Sequence, residues 1–260
     1  PPLPAQPSLM EMHLGWRPAG PRPGGGLRLW NAAMNRGSRA GSWQEAVDLF
    51  HRMPRCCLQP DSFSYGAAIG AWGRGRHWEL TLGLLATMWQ CGPLPGTITY
   101  NRCIRACEQS QEWSQALGLL ADMRRRVLRT DAFGYNTTIN ACAKAEQPAR
   151  ARALLAETRE LGLRADAAGC NACIDACSRG KDWAGALALL SSMEEASLQP
   201  NVISYTASIS ACERGEQWAV GLSLLSELPR RRMRPSVITY NATISACEKG
   251  QQWKQALTLL

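Results

Sequence analysis

Six basic side chains recur on a single beat. Arg39, Arg74, Lys144, Arg179, Arg214 and Lys249 stand at multiples of 35 residues from one another, with Gln109 the uncharged member of the series. If equivalent positions stack in space, they form a stripe of positive charge able to follow a phosphate backbone. The same residue types also suit the last turn of a helix, where the macrodipole favours cations. The column taken alone leaves both readings open. The chain carries 29 Lys and Arg against 21 Asp and Glu, a net charge of +8. That balance favours a polyanion or an acidic partner and says nothing about fold.

Other chemistry is poorly supported. Cys170-Asn171-Ala172-Cys173 is a C-x-x-C with Cys177 one turn later, but zinc takes four N or S ligands and no second pair or nearby His completes a set. Only a site bridged to Cys103 and Cys107 remains, and no metal or cofactor is expected. The eleven cysteines fall inside helical patterns with no visible secretory signal, so they read as reduced, small apolar residues. The histidines are His13, His51 and His77, and none lies in the H-x-E of a zinc deaminase. There is no G-x-x-x-x-G-K-[ST] loop, no G-x-S-x-G elbow and no acidic cluster suited to two metals. The chain is not expected to be an enzyme, and with no run of 18 apolar residues it is not expected to cross a membrane.

The elements that position the basic column follow from a second column. Trp43, Trp78, Trp113, Trp183, Trp218 and Trp253 keep the same 35-residue period, and Pro148 occupies the one vacant beat. A fixed period of this length means an array of small units. Units open at Leu27, Ser62, Thr97, Ala132, Ala167, Val202 and Val237 without gaps, giving repeats 27–61, 62–96, 97–131, 132–166, 167–201, 202–236 and a partial 237–260. In VITYNATISAC the apolar or small residues Tyr240, Thr243, Ile244, Ala246 and Cys247 make a helical stripe, helix A. After a polar break containing Gly, Trp253, Ala256, Leu257 and Leu260 make a second stripe, helix B. Pro148 fits the first turn of such a helix, where its missing N–H has no intrahelical partner to lose. Two short helices cannot bury both stripes alone, so the fold class is all-α, a superhelical α-solenoid of antiparallel helix pairs. The Trp and Cys columns (Cys107, Cys142, Cys177, Cys212, Cys247) read as packing. The Arg124–Arg126 and Arg230–Arg232 runs read first as solvated faces. Residues 1–26 are rich in Pro and Gly and read as a disordered lead-in. Further repeats are expected beyond Leu260, where the apolar stripe is interrupted.

A 35-residue helical pair with TITYNRCI or VITYNATI at its start, QALGLLADM or GALALLSSM in its second half, and LQPD or LQPN near its close resembles the pentatricopeptide repeat. The resemblance covers residues 27–260 and implies a right-handed superhelix that reads single-stranded RNA, one base per repeat. It assigns base reading to the fifth and last residues of each repeat. Those pairs are Asn31 with Asp61, Gly66 with Gly96, Asn101 with Asp131, Asn136 with Asp166, Asn171 with Asn201, and Thr206 with Ser236; Asn241 opens a seventh. The Gly66–Gly96 pair has no hydrogen-bonding side chain and fits no reading rule. Asn/Asp implies uracil, Asn/Asn a pyrimidine and Thr/Ser a purine, so the implied target is 5′-U-any-U-U-pyrimidine-purine-3′. The second residue of each repeat is implied to wedge between bases: Phe63, Ile98, Phe133, Ile203 and Ile238 are large and apolar, whereas Arg28 and Ala168 depart from the pattern. Beside these pairs, phosphate contact becomes the favoured reading of Arg39, Arg74, Lys144, Arg179, Arg214 and Lys249. The resemblance also implies a mitochondrial or chloroplast setting and work in organellar RNA processing, stabilisation or translation. The competing expectation is a helical scaffold for protein partners with no RNA role.

Overall fold

The computed structural model describes residues 26–39, 42–56, 58–163, 167–196 and 198–259. Nearly all of the Pro/Gly-rich lead-in, together with Asp166 and the side chain of Arg39, lies outside the described residues. Fourteen α-helices are described. The A helices are α1 (Leu27–Arg39), α3 (Ser62–Arg74), α5 (Thr97–Gln109), α7 (Ala132–Lys144), α9 (Ala167–Arg179), α11 (Val202–Arg214) and α13 (Val237–Lys249). The B helices are α2 (Trp43–Arg52), α4 (Trp78–Cys91), α6 (Trp113–Arg125), α8 (Pro148–Glu160), α10 (Trp183–Glu195), α12 (Trp218–Arg230) and α14 (Trp253–Thr258). Pro148 opens α8, as its missing N–H allows.

Each A helix packs on the A helix before and after it, and each B helix packs on its own A helix and the next one. The molecule is therefore an α-solenoid with a continuous layer of A helices. Its core runs unbroken from Trp30 in α1 to Ala211 in α11. Residues that face a neighbouring A helix are small enough for close approach. The column Ala71, Ala106, Ala141, Ala176, Ala211 and Ala246 is fully or almost fully buried. Ile69, Ile104, Ile139, Ile174 and Ile209 fill the space behind it, each fully buried. The buried stripe of helix B is shifted from its sequence expectation. Ala116, Leu119, Leu120 and Met123 of α6 are buried, whereas Trp113 and Leu117 are only half-buried. The shift arises because each B helix is wedged between two A helices, and Trp113 and Leu117 fall at the margin of that wedge. Tyrosines tie A to B: Tyr100 donates a 2.6 Å hydrogen bond to Asp122, and Tyr135 one of 3.3 Å to Glu157.

The A–B break works differently from its glycine signature. The left-handed residue is not the glycine but the residue after it: Arg76, Lys181, Glu216 and Gln251 have φ between 56° and 59°. Gly75, Gly215 and Gly250 keep negative φ. They instead make room for the preceding repeat. A Cβ at Gly215 would stand 2.9 Å from Cγ of Trp183, and one at Gly250 would stand 2.7 Å from Cγ of Trp218. Ser110 and Ala145 hold the same place in other repeats, so a small side chain suffices. The Trp column is thus inter-repeat packing.

A second left-handed position closes helix B. Gly162 adopts φ 65° there, but the matching residues are Val127 (φ 56°) and Arg232 (φ 58°). Val127 is β-branched and 91% exposed, so no packing offsets its strain. A left-handed backbone costs a non-glycine residue about 1–2 kcal/mol, against about 0.5–1 kcal/mol of added chain entropy for glycine. Val127→Gly is therefore expected to raise the urea unfolding midpoint by the equivalent of about 0.5–1 kcal/mol. An unchanged or lowered midpoint would count against strain at this position.

Candidate nucleic-acid interface

Among the described residues, the last residue of each repeat is the N-cap of the next A helix. Asp61, Asp131, Asn201 and Ser236 all have extended backbone and accept hydrogen bonds from amide N–H groups of the first turn that follows. Asp, Asn and Ser are the residues a helix N-terminus selects, because their side chains satisfy orphan donors. That requirement alone could explain the column. The cap, however, also places the side chain beside the fifth residue of the A helix before it.

The contact is made in four of the described pairs, in two ways. Asn101 Nδ2 donates to both carboxylate oxygens of Asp131, at 3.0 and 2.9 Å. Asn31 Nδ2 donates to Asp61 at 3.3 Å. A carboxylate only accepts, so it holds the amide nitrogen and turns the amide oxygen away. In the other two pairs a hydroxyl bridges. Ser204 Oγ donates to Asn171 Oδ1 at 2.6 Å and contacts Asn201 Oδ1 at 3.2 Å. Thr239 Oγ1 lies 2.8 Å from Thr206 Oγ1 and 2.9 Å from Ser236 Oγ. Asn136 is half-buried on α7 and has a partner, while Asp166 lies outside the described residues. Asn241 is exposed on α13. Gly66 and Gly96 bring no side chain to the second position.

The third residue of each repeat was not singled out by sequence. Ser64, Ser204 and Thr239 complete capping boxes and touch the fifth residue of the preceding repeat; Ser64 Oγ donates to Asn31 Oδ1 at 2.7 Å. The signal was available as S/T-Y three residues after the cap in repeats two, three, six and seven. In repeat four the place is Gly134, and Asn101 Oδ1 is buried with no partner. A Cβ at Gly134 would lie 2.8 Å from that oxygen. Burial opposes ionised Asp61, yet the Ser64 backbone and hydroxyl and Asn31 outweigh it and hold its carboxyl below the ordinary range. It therefore remains an acceptor throughout the neutral range.

Beside these pairs runs a row of apolar side chains without cover. Phe63 is 54% exposed, Ile98 72%, Phe133 49%, Ile203 65% and Ile238 69%. All five sit in the first turn of successive A helices, and Ala168 makes the one small gap. Single exposed apolar residues are unremarkable, but five in register on stacked helices form an organised surface.

The basic column is brought together in part. Arg74, Gln109 and Lys144, with Arg76, line one shallow depression of about 280 Å³. Lys144 is paired with Glu108 of the preceding repeat at 2.5 Å, and Lys249 with Glu213 at 3.0 Å. Arg179 pairs with Asp175 on its own helix at 2.9 Å, and Arg214 is exposed on α11. The stripe is thus partly neutralised. The arginine runs lie elsewhere: Arg126 stacks 3.9 Å from the Trp89 ring and bonds Asp122 at 2.7 Å, while Arg231 bridges Glu194 and Glu227. They tie B helices together.

The cysteine column is buried. Desolvation pushes the thiols of Cys142, Cys177 and Cys212 up to about 11 and that of Cys107 to about 12. Cys173 donates to Ala151 O at 3.3 Å. Among the described residues, no three His, Cys, Asp or Glu side chains stand close enough to hold a metal ion. No helix among them is long and apolar enough to cross a membrane.

This arrangement of stacked helix pairs, with polar couples and an exposed apolar row in register along the A layer, defines a helical-repeat protein before any comparison. Profiles of the PPR repeat family match residues 95–144 and 165–214, and the PPR repeat matches residues 28–58 and 133–163. The chain belongs to the pentatricopeptide repeat family. Among solved structures it is similar to the pentatricopeptide repeat protein PPR10 from maize, at 24% identity over 90% of this chain with a TM-score of 0.73. PPR10 in complex with an 18-nt psaJ RNA element matches at 23% identity over 88% of the chain, covering 36% of PPR10, with a TM-score of 0.57. The PPR domain of Arabidopsis thaliana protein-only RNase P 1 in complex with tRNA matches at 13% identity over 67% of this chain and 92% of that domain, with a TM-score of 0.56. The chain spans about a third of the length of PPR10, 34%. No curated protein matches the sequence.

Proposed function

We propose that the chain binds single-stranded RNA along its A helices, one nucleotide per repeat. The observation that carries this reading is the register of the exposed apolar row with the polar couples: Phe63, Phe133, Ile203 and Ile238 each stand two residues after the cap of an observed couple, Asp61, Asp131, Asn201 and Ser236. Bases are flat, apolar on their faces and polar at their edges. A surface alternating apolar wedges with oriented amides matches both properties at once. The RNA-bound state of PPR10 and of the RNase P domain supports the same use of this fold. A protein-binding scaffold would need neither a buried amide held by a carboxylate nor a row of exposed apolar residues in register with it.

The target follows from the couples, 5′-U-any-U-U-pyrimidine-purine-3′ along the repeats. Asn31, Asp61, Asn101, Asp131, Asn136 and Asp166 select uracil, Asn171 and Asn201 a pyrimidine, and Thr206 and Ser236 a purine; Asn241 begins a further couple. The protein acts by occupancy, shielding or remodelling an RNA in a mitochondrion or chloroplast, with no catalysis of its own.

Filter binding to oligo(U) and oligo(A) over a salt series tests the reading. RNA binding predicts tighter oligo(U) and an affinity that falls with salt; equal, salt-independent retention would sink it. Arg74 and Lys144 supply backbone contacts in this reading, and release of Glu108 by Lys144 lowers the net gain. Lys144→Ala is accordingly expected to weaken all sequences alike, by about 1 kcal/mol or less, and to lessen the salt slope by less than one. A loss confined to one base at one position would show that Lys144 is not a backbone contact.

A further inference from the structure

Repeat two lacks a reader of its own, since Gly66 and Gly96 stand at both reading places. The gap is not empty. Arg102, the sixth residue of repeat three, reaches back across the A layer, and its guanidinium occupies the space a side chain at position 66 would take. A Cβ built on Gly66 would overlap the Nη of Arg102 and lie 3.3 Å from its Cζ and 4.0 Å from its Nε. The residue is an outlier in its column. The other sixth places hold Ala32, Ala67, Thr137, Ala172, Ala207 and Ala242, all too short to reach a neighbouring repeat.

The electrostatics set this arginine apart from the others around it. It is half-buried, and it has neither a hydrogen bond nor an ion pair among the described residues. Burial pulls its guanidinium below the ordinary value, and no carboxylate offsets that. Arg124, Arg126, Arg179 and Arg231 each have a carboxylate partner. Its planar donors meet no acceptor of the protein, so a ligand's acceptors can engage them without breaking an existing pair.

Resting on the RNA-binding reading above, we infer that Arg102 is the base reader of repeat two and that the second nucleotide of the target is guanine, not any base. A guanidinium presents two parallel N–H donors, and guanine presents two adjacent acceptors, O6 and N7, on one edge. Adenine places an N6–H donor where O6 would be, so it meets the guanidinium with one acceptor and one clash of donors. Gly66 is then required because any Cβ would displace the guanidinium, and the absence of a reading pair in repeat two is what admits the arginine. The target becomes 5′-U-G-U-U-pyrimidine-purine-3′.

The test measures binding of the full chain to four RNAs, 5′-UNUUCA-3′, with N each of the four bases, and to a fifth with A at the third nucleotide. The unsubstituted protein is expected to favour G over A at the second position by about tenfold. Arg102→Ala, and independently Gly66→Ala, should bring the four RNAs to within about twofold of one another while leaving discrimination at the third nucleotide intact. Two variants are used because Gly66→Ala displaces the guanidinium without removing it, so both must agree. If the unsubstituted protein is indifferent at the second position but prefers U at the third, the inference fails and the RNA-binding reading stands. If Arg102→Ala weakens all four RNAs equally, the guanidinium contacts the phosphate backbone and the inference also fails. If no RNA is bound, both fall together.

Discussion

Replacing Phe63, Ile98 and Phe133 together with serine is expected to lower RNA affinity by at least about 100-fold, for every sequence alike, without unfolding the protein. Stacking of one base on one apolar or aromatic side chain contributes about 1–3 kcal/mol, so three consecutive wedges carry about 3–9 kcal/mol gross. About 1.4 kcal/mol is a factor of ten, so the lower bound already spans two decades. Sequence independence follows because every base has an apolar face. The fold should tolerate the change, since these side chains are about half exposed or more and sit in the first turn of their helices. Serine is also well accepted there, and surface substitutions away from packing usually stay within about 0.5 kcal/mol each. Circular dichroism would report an unchanged helix content and a melting temperature shifted only slightly. Retained RNA affinity in the triple variant would mean that the exposed row serves another partner.

Part of this surface was legible in the sequence because the repeat has a fixed length. Period alone places Phe63, Ile98, Phe133, Ile203 and Ile238 on equivalent turns, and the helix stripe Tyr240, Thr243, Ile244, Ala246 and Cys247 leaves their position outside the core. The A helices begin at Ser62, Ala132, Val202 and Val237 because Asp61, Asp131, Asn201 and Ser236 cap them, and caps are local signals. What the period could not give is which side chains meet across repeats. Arg102 is one sequence position from Asn101, yet it serves the space over Gly66, a residue of a different helix. Ser204 is read locally as a capping-box residue, and only the stacking of α9 against α11 turns its hydroxyl toward Asn171. The role of glycine at the A–B break was not legible in the sequence. The left-handed conformation falls on Glu216 and its equivalents, while Gly215 yields space to Trp183. Close approach and backbone freedom select the same residue type, and composition cannot tell them apart.

Asn101→Ala is expected to reduce affinity for RNA with U at the third nucleotide by about 10- to 100-fold, to leave the other positions unaffected, and to change stability little. The small effect on stability is the diagnostic part. In the free protein Asn101 gains its two bonds to Asp131, but its Oδ1 is buried and unpartnered. A hydrogen bond to a charged group contributes about 1.5–3 kcal/mol and an unsatisfied buried acceptor costs about 1–3 kcal/mol, so truncation removes terms that offset. Asn31 differs in one respect, since Ser64 satisfies its Oδ1 at 2.7 Å. Asn31→Ala should therefore destabilise the protein more than Asn101→Ala does, although both remove one proposed uracil reader. Asp131→Asn separates the cap from the code. Asparagine caps a helix as well as aspartate, so α7 keeps its N-terminus. The acceptor-only carboxylate, however, is gone. With Asp131 the amide oxygen of Asn101 must face away from the cap, buried beside Gly134 in the free protein; in the proposed reading RNA binding frees it to accept from the N3–H of uracil, and cytosine has no hydrogen at N3. With asparagine at 131 the Asn101 amide can turn either way and meet either pyrimidine. Titrations with U and with C at the third nucleotide should converge in Asp131→Asn while purines remain excluded. Undiminished preference for U over C would show that the carboxylate acts only as a helix cap.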